Sequence, residues 1–373
     1  MPNNYTHNFF PYPAKFPPEP ILEYILKYTK EGDTILDPFC GSGTVLVESI
    51  LNNRKAIGID LNPVSIKVTE AKTTKYTKED LEEVSRIIEE IDEILLVREI
   101  WISNVLEEKD IPNYKNIELW FKENMLLEMS ALRKEFLLKN NYTKNVSNLL
   151  WMGFLKIVVD VSKQDTDTRY TAVEKEKQVD GYAIKKFQST LKQFVKELAS
   201  CIDSVSNQIF DVSILEGDAN VMIDEIANNT VDLVITSPPY INTFDYYLYH
   251  KHRIFWLGKD PQYVRKNEIG NHHRIDTMTF EKAFEEYRNA LGNLTGKIGQ
   301  KLKSGKYYVM LVGDGIVKGN LVKADELMKE IALENGFVVE ETLSMHFKEV
   351  SKGFIKGRNL DLKKHHTVIM KKI

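Results

Sequence analysis

The sequence holds 373 residues, 43% of them hydrophobic and 28% charged. That is the composition of an ordinary soluble protein, long enough for one large core with insertions or for two domains. A formal net charge of -4 excludes a uniformly basic surface, so any nucleic-acid contact must rest on a local basic face.

No run approaches the roughly eighteen apolar residues of a membrane span, and Met1-Pro2-Asn3-Asn4 lacks the basic and apolar regions of a signal peptide, so a cytoplasmic protein is expected. Cys40 and Cys201 are the only cysteines, giving no disulfide framework and no metal-ligand spacing. No metal is expected.

The segment Tyr5 to Pro18 carries too many prolines for an element of its own and should lie across a surface, offering aromatic rings. A helix is predicted from Glu19 to Tyr28, where Ile21, Leu22, Ile25 and Leu26 recur at helical spacing. Thr34 to Asp37 then reads as a short strand, Phe39 to Gly43 as a glycine turn, and Thr44 to Glu48 as a helix start. Gly41 and Gly43 allow the backbone to approach a ligand closely, and Ser42 or Thr44 can cap a helix whose amides face that ligand. A tight strand-to-helix turn with no ligand has the same pattern.

A second strand, Lys55 to Ile59, ends in Asp60. An acidic residue about twenty positions after the glycine turn suits a ribose diol. The competing reading makes Asp60 a helix-start residue before Leu61-Asn62-Pro63. Leu46 stands three places past Gly43, where a nicotinamide site usually has glycine. This counts against a dehydrogenase.

From Ala71 to about Cys201 the strand rhythm is lost, and helical patterns run from Leu81 to Val97, Leu119 to Leu138 and Val146 to Val161. A crossover needs far fewer residues, so residues 71–204 are read as a largely helical insert and a candidate target-recognition domain. Residues 1–70 and 205–373 then form one α/β domain. Trp101, Trp120 and Trp151 are assigned to the core of the insert. Its polar stretch, Ser162 to Tyr170, is the candidate contact surface, with Lys163, Arg169 and Tyr170 facing phosphates or bases, though a solvated loop fits equally.

A third strand, Val212 to Glu216, leads to Gly217-Asp218, and the apolar run Val231 to Ile235 reads as a buried parallel strand. That strand closes in Thr236-Ser237-Pro238-Pro239-Tyr240. Two prolines fix φ and remove two backbone donors, making a stiff shelf past the carboxyl end of a strand, where open α/β sheets bind ligands. Ser237 and the Pro238 carbonyl can accept hydrogen bonds from an amino group there, and Tyr240 can stack on a planar ring. The next segment, Asn242 to Gly258, reads as an aromatic, basic helix with Lys251 and Arg253 placed to meet a nucleic-acid backbone. A helix from Phe280 to Leu302, a strand from Lys306 to Asp314, a helix from Asp325 to Glu334 and a hairpin of Val338–Leu343 with Thr367–Met370 complete the pattern. A basic, glycine-broken loop from Lys348 to Arg358 lies within that hairpin and reads as solvated or as touching phosphate.

The pentapeptide Thr236 to Tyr240 resembles the catalytic motif of the DNA amino-methyltransferases, and Asp37-Pro38-Phe39-Cys40-Gly41-Ser42-Gly43-Thr44 resembles their S-adenosyl-L-methionine (AdoMet) motif. The resemblance implies a Rossmann-like, mostly parallel sheet with an antiparallel terminal hairpin. It implies catalytic roles for Ser237, Pro238, Pro239 and Tyr240. Cofactor contacts are implied for Lys15, Phe16, Asp37, Phe39, Cys40, Gly41, Gly43 and Thr44. Further along the chain they are implied for Asp60, Asn62, Asp218, Ala219 and Thr236, with Asp218 at the adenine amino group. The family's Thr/Ser-Ser-Pro-Pro-Tyr form leans towards the 4-amino group of cytosine in double-stranded DNA, leaving the 6-amino group of adenine, or RNA, as alternatives. A cognate restriction endonuclease would be a partner. The AdoMet motif precedes the catalytic motif here, the reverse of many relatives with Ser-Pro-Pro-Tyr.

Overall fold

A computed structural model describes residues 5–13, 15–112, 114–139, 141–346 and 363–373. The basic loop Lys348 to Arg358 lies outside the described residues. No helix among the described residues is long and apolar enough to cross a membrane.

The chain divides into two compact units. One comprises Phe16–Ile66, Ile209–Tyr247 and Gln262–Ile373 and contains the large sheet, whose strands are numbered here along the chain. They are β1 Thr34–Asp37, β2 Lys55–Asp60, β3 Val212–Glu216, β4 Val231–Thr236, β5 Leu302–Gly313, β6 Phe337–His346 and β7 Lys364–Lys372. Their order in space is β6-β7-β5-β4-β1-β2-β3. The pairs β5–β4, β4–β1, β1–β2 and β2–β3 are parallel, and β7 runs antiparallel to both its neighbours. Central β4 is buried at all six positions, as expected for a strand covered on both faces. On one side of the sheet the helices Phe280–Lys301 and Ala324–Glu334 bury Leu291, Leu294, Ile298, Leu327 and Ile331. On the other, Ile21 and Ile25 of the helix Pro18–Tyr28 join Val45, Leu46 and Ile50 of Thr44–Leu51.

The second unit comprises Met1–Lys15, Lys67–Gln208 and Leu248–Pro261. The helices Lys78–Leu96, Lys144–Val161 and Tyr182–Ala199 form its body, the first started by a reciprocal Thr77–Asp80 capping box. Its limits differ from the expected insert at two places. The aromatic segment at the start of the chain is part of its core: the Tyr5 hydroxyl donates to the Thr74 carbonyl, Phe9 stacks on Phe194 with centroids 4.6 Å apart, and Phe9 and Phe10 are buried. The rings expected to be offered at a surface are therefore consumed in packing. The stretch Leu248–Pro261 joins the same unit, so the chain enters the helical body three times. The polar stretch expected as a loop forms a two-stranded hairpin, Gln164–Thr166 with Arg169–Ala172.

Candidate active site

Parallel strands end on a common side, and the sequence motifs sit at those ends. β1 lies between β4 and β2, so the glycine turn and the Pro-Pro shelf are neighbours although about 200 residues separate them. The join is direct, with the Thr236 hydroxyl donating to Asp37 Oδ1 at 2.6 Å. Asp37 also accepts the Phe39 N–H at 3.1 Å. Its carboxyl is buried, and burial pushes its pKa up to about 7, helped by the nearby Asp60 charge.

The turn after β1 is held by Cys40 N–H to the Ile59 carbonyl and Gly43 N–H to the Cys40 carbonyl. Gly41 and Gly43 take φ of 49° and 75°, where a side chain would be strained. At the end of β2 the two oxygens of Asp60 accept the Gly41 N–H and the Asn62 N–H, each at 2.8 Å. Burial pushes this carboxyl up to about 6. Asp60 thus takes the helix-start position of its second reading, and its other oxygen fixes the glycine turn. The Ser65 side chain also hydrogen-bonds to this carboxylate. Two buried polar atoms in these turns, Asn62 Nδ2 and Thr44 Oγ1, have no partner among the described residues.

Beyond β3, Asp218 caps a short helix by accepting the Asn220 N–H at 2.9 Å, and Ala219 is buried behind it. A cleft of about 320 Å³ opens there, bounded by Asp218, Asn220, Asn271, Arg274 and Tyr287. On the shelf itself the Ser237 hydroxyl lies 3.5 Å from the Tyr240 hydroxyl, and Tyr287 donates to the Pro239 carbonyl at 3.0 Å. The loop after the shelf carries a polar set that sequence reading missed. Buried Asp245 accepts the His272 N–H at 2.8 Å and meets His273 Nδ1, while Asn242 pairs with His272 Nδ1 at 2.5 Å. The Asn271-His272-His273 run was the available signal.

The remaining expected residues lie in or at the edge of the helical unit. Lys15 gives its ammonium to the His7 carbonyl at 2.5 Å, whereas Phe16 belongs to the sheet unit and packs on the cluster around Ile21 and Ile25. Lys163 pairs with Glu174 at 2.5 Å, and Arg169, well exposed, pairs with Asp165 at 3.2 Å. Tyr170 packs at a tilt against Trp120 with centroids 4.3 Å apart, and the Lys251 ammonium lies 5.5 Å from the centre of the Tyr170 ring.

Arg253 requires a correction. It is 1% exposed, donates from Nε to the Leu155 carbonyl at 2.8 Å, pairs with Asp167 at 2.5 Å and stands over the Phe10 ring. A guanidinium so enclosed ties the helix Tyr246–Trp256 to its unit and does not reach a phosphate backbone.

The raised pKa of Asp37 has a testable consequence. A carboxyl titrating higher in the folded than in the unfolded state favours folding at low pH and loses that contribution as pH rises from about 4 to about 7. The melting temperature of Asp37→Asn, relative to the parent, should therefore rise between pH 5 and pH 8. Thermal unfolding at the two pH values checks this, and an unchanged difference would mean an ionised Asp37 throughout.

A seven-stranded sheet of this order, with its antiparallel strand next to an edge, acidic residues at the ends of β1 and β2, and a glycine turn after β1, defines an AdoMet-dependent methyltransferase fold. Residues 1–71 match the N6_N4_Mtase family model, described as DNA methylase. Over that stretch the chain resembles the DNA amino-methyltransferases. It is similar to the Type II methyltransferase M.MvaI of Kocuria varians, 26% identical over 63% of this chain and 53% of that one. It is also similar to M.BsoBI of Geobacillus stearothermophilus, 26% identical over 71% and 55%. A shorter match, 49% identical over 55 residues, joins it to M.Cfr9I of Citrobacter freundii, covering 15% of this chain and 18% of that one. The chain spans about half the length of the first two relatives.

Proposed function

We propose that this protein transfers a methyl group from AdoMet to the 4-amino group of cytosine in double-stranded DNA, as the modification half of a restriction system. The observation that carries the reading is the Thr236–Asp37 hydrogen bond, which sets Ser237 beside the glycine turn. The residues present suit the cofactor: two glycines at positive φ, a carboxylate at the end of β2, and unpartnered Asn62 Nδ2 and Thr44 Oγ1. In this reading Asp60 holds the ribose, and Asp218 with Ala219 meets the adenine edge. Phe39, Cys40, Gly41, Gly43, Thr44, Asn62 and Thr236 line the approach, with Phe16 at the methionine end.

AdoMet, when bound, supplies a methyl carbon on a positively charged sulfur, and transfer releases a neutral thioether and one amino proton. The protein's task is to make an arylamine a better nucleophile. Its nitrogen lone pair is delocalised into the ring, and hydrogen bonds from the amino group to Ser237 and the Pro238 carbonyl favour a more tetrahedral nitrogen. Positioning supplies much of the rate, through effective molarities of about 10⁵ M or more. The base leaves the duplex to reach the shelf, and stacking on Tyr240 offsets part of the few kcal/mol this costs. Lys163, Arg169, Tyr170 and Lys251 are proposed to meet DNA.

Mass spectrometry of nucleosides, after incubation of unmethylated duplex DNA with the protein and AdoMet, tests the proposal. The expected product is N4-methylcytidine in its deoxy form. N6-methyladenine would move the target to the adenine amino group, and methylation of RNA alone would overturn the DNA reading.

A further inference from the structure

Two prolines fix two φ angles of the shelf, but they leave the ψ of Pro239 and the side-chain torsions of Tyr240 to be set by other residues. Three contacts set them. Tyr287, from the helix Phe280–Lys301, donates its hydroxyl to the Pro239 carbonyl at 3.0 Å and so fixes the peptide plane leading into Tyr240. Gly313, the last residue of β5, lies directly under the phenol. A Cβ built there would stand 2.5 Å from Tyr240 Cε2 and 2.6 Å from Cδ2, so only glycine leaves room for the ring. His365, paired with Gly313 in the β7–β5 register, stands beside the same ring. Their centroids are 5.7 Å apart, and its Nδ1 lies 3.5 Å from the Tyr240 hydroxyl.

The floor and wall of this mount are themselves anchored. The residues next to them, Asp314 and His366, form a buried pair with His366 Nε2 3.0 Å from Asp314 Oδ1. Asp314 also accepts the N–H groups of Ala324 and Lys364, and His366 Nδ1 meets the Ser344 hydroxyl. With Asp325 these side chains have the spacing of a cation site. Their atoms are already engaged in hydrogen bonds that lock the ends of β5 and β7 together.

We infer that Tyr287, Gly313 and His365 are positioning residues that act on methyl transfer through Tyr240, by holding its ring ready to receive the extruded base. The inference rests on the reading of Tyr240 as the stacking surface. Order imposed before binding lowers what the base must supply on arrival.

Double-mutant cycles against Tyr240→Ala test it, with transfer of radiolabelled methyl to unmethylated mixed-sequence duplex DNA and the AdoMet Kd as readouts. In the parent protein Gly313→Ala should lower kcat about tenfold or more, and Tyr287→Phe about three- to tenfold. The AdoMet Kd should stay within about twofold of the parent value in both. In the Tyr240→Ala background the same changes should add less than about a twofold loss, because contacting sites couple. Equal losses in both backgrounds, or an AdoMet Kd rising in step, would overturn the inference while leaving Tyr240 in its role. Unchanged transfer by Tyr240→Ala alone would instead overturn the stacking reading beneath it. Should Gly313→Ala fail to fold, Tyr287→Phe keeps the buried ring and carries the test.

Discussion

Ser237→Ala is expected to lower methyl transfer to DNA by about a hundredfold or more, the scale seen when one hydrogen-bonding group aimed at the reacting centre is removed. In the proposed mechanism the serine hydroxyl is one of two acceptors for the target amino group, and alanine leaves the strand, both prolines and the Thr236–Asp37 bond in place. The loss should therefore fall on kcat, with the AdoMet Kd unchanged. Tyr240→Ala removes the ring proposed to receive the base, and base–aromatic stacking of about 1–3 kcal/mol corresponds to a loss of about five- to 150-fold. That loss should appear in KM for DNA as well as in kcat. Steady-state kinetics with equilibrium AdoMet titration separates the two. Turnover unaltered by Ser237→Ala would remove Ser237 from the catalytic set.

The second large effect is expected at Asp60. Hydrogen bonds to a charged acceptor contribute about 1.5–3 kcal/mol, so Asp60→Ala should weaken AdoMet by about ten- to 150-fold. Two losses combine here. The ribose would lose its acceptor, and the Gly41 and Asn62 N–H groups would lose the carboxylate that now holds the turn. Asp60→Asn keeps one acceptor oxygen and should fall between the parent and the alanine variant. Isothermal titration with AdoMet reads the difference. An unaltered Kd would leave Asp60 only its observed role in fixing the turn.

Much of the sheet unit was legible in the sequence because local patterns there coincide with tertiary demands. Val231 to Ile235 reads as a buried parallel strand and is one, and the acidic residue closing each early strand marks the ligand side of the sheet. The terminal hairpin was legible for the same reason. What failed depended on partners far away in sequence. Nothing near Arg253 announces that Asp167, 86 positions earlier, encloses it. Its basic neighbourhood suggested a free cation. The aromatic rings of the first segment looked available because prolines exclude a regular element, but irregular backbone can still bury its side chains. The helix Tyr246–Trp256 has an apolar face that would fit any core, so its allegiance to the helical unit was invisible. Gly313 was visible as the end of a strand, whereas the ring lying on it belongs to a residue 73 positions away.

Asp37 and Thr236 are separated by 199 positions. In the folding chain, β1 therefore waits for β4 while the intervening residues assemble, and the entropic penalty for closing so long a loop falls on the strand at the middle of the sheet. The glycine turn and the Pro-Pro shelf meet only once β4 has docked beside β1, so a chain that has not reached that step lacks the geometry the proposed transfer needs.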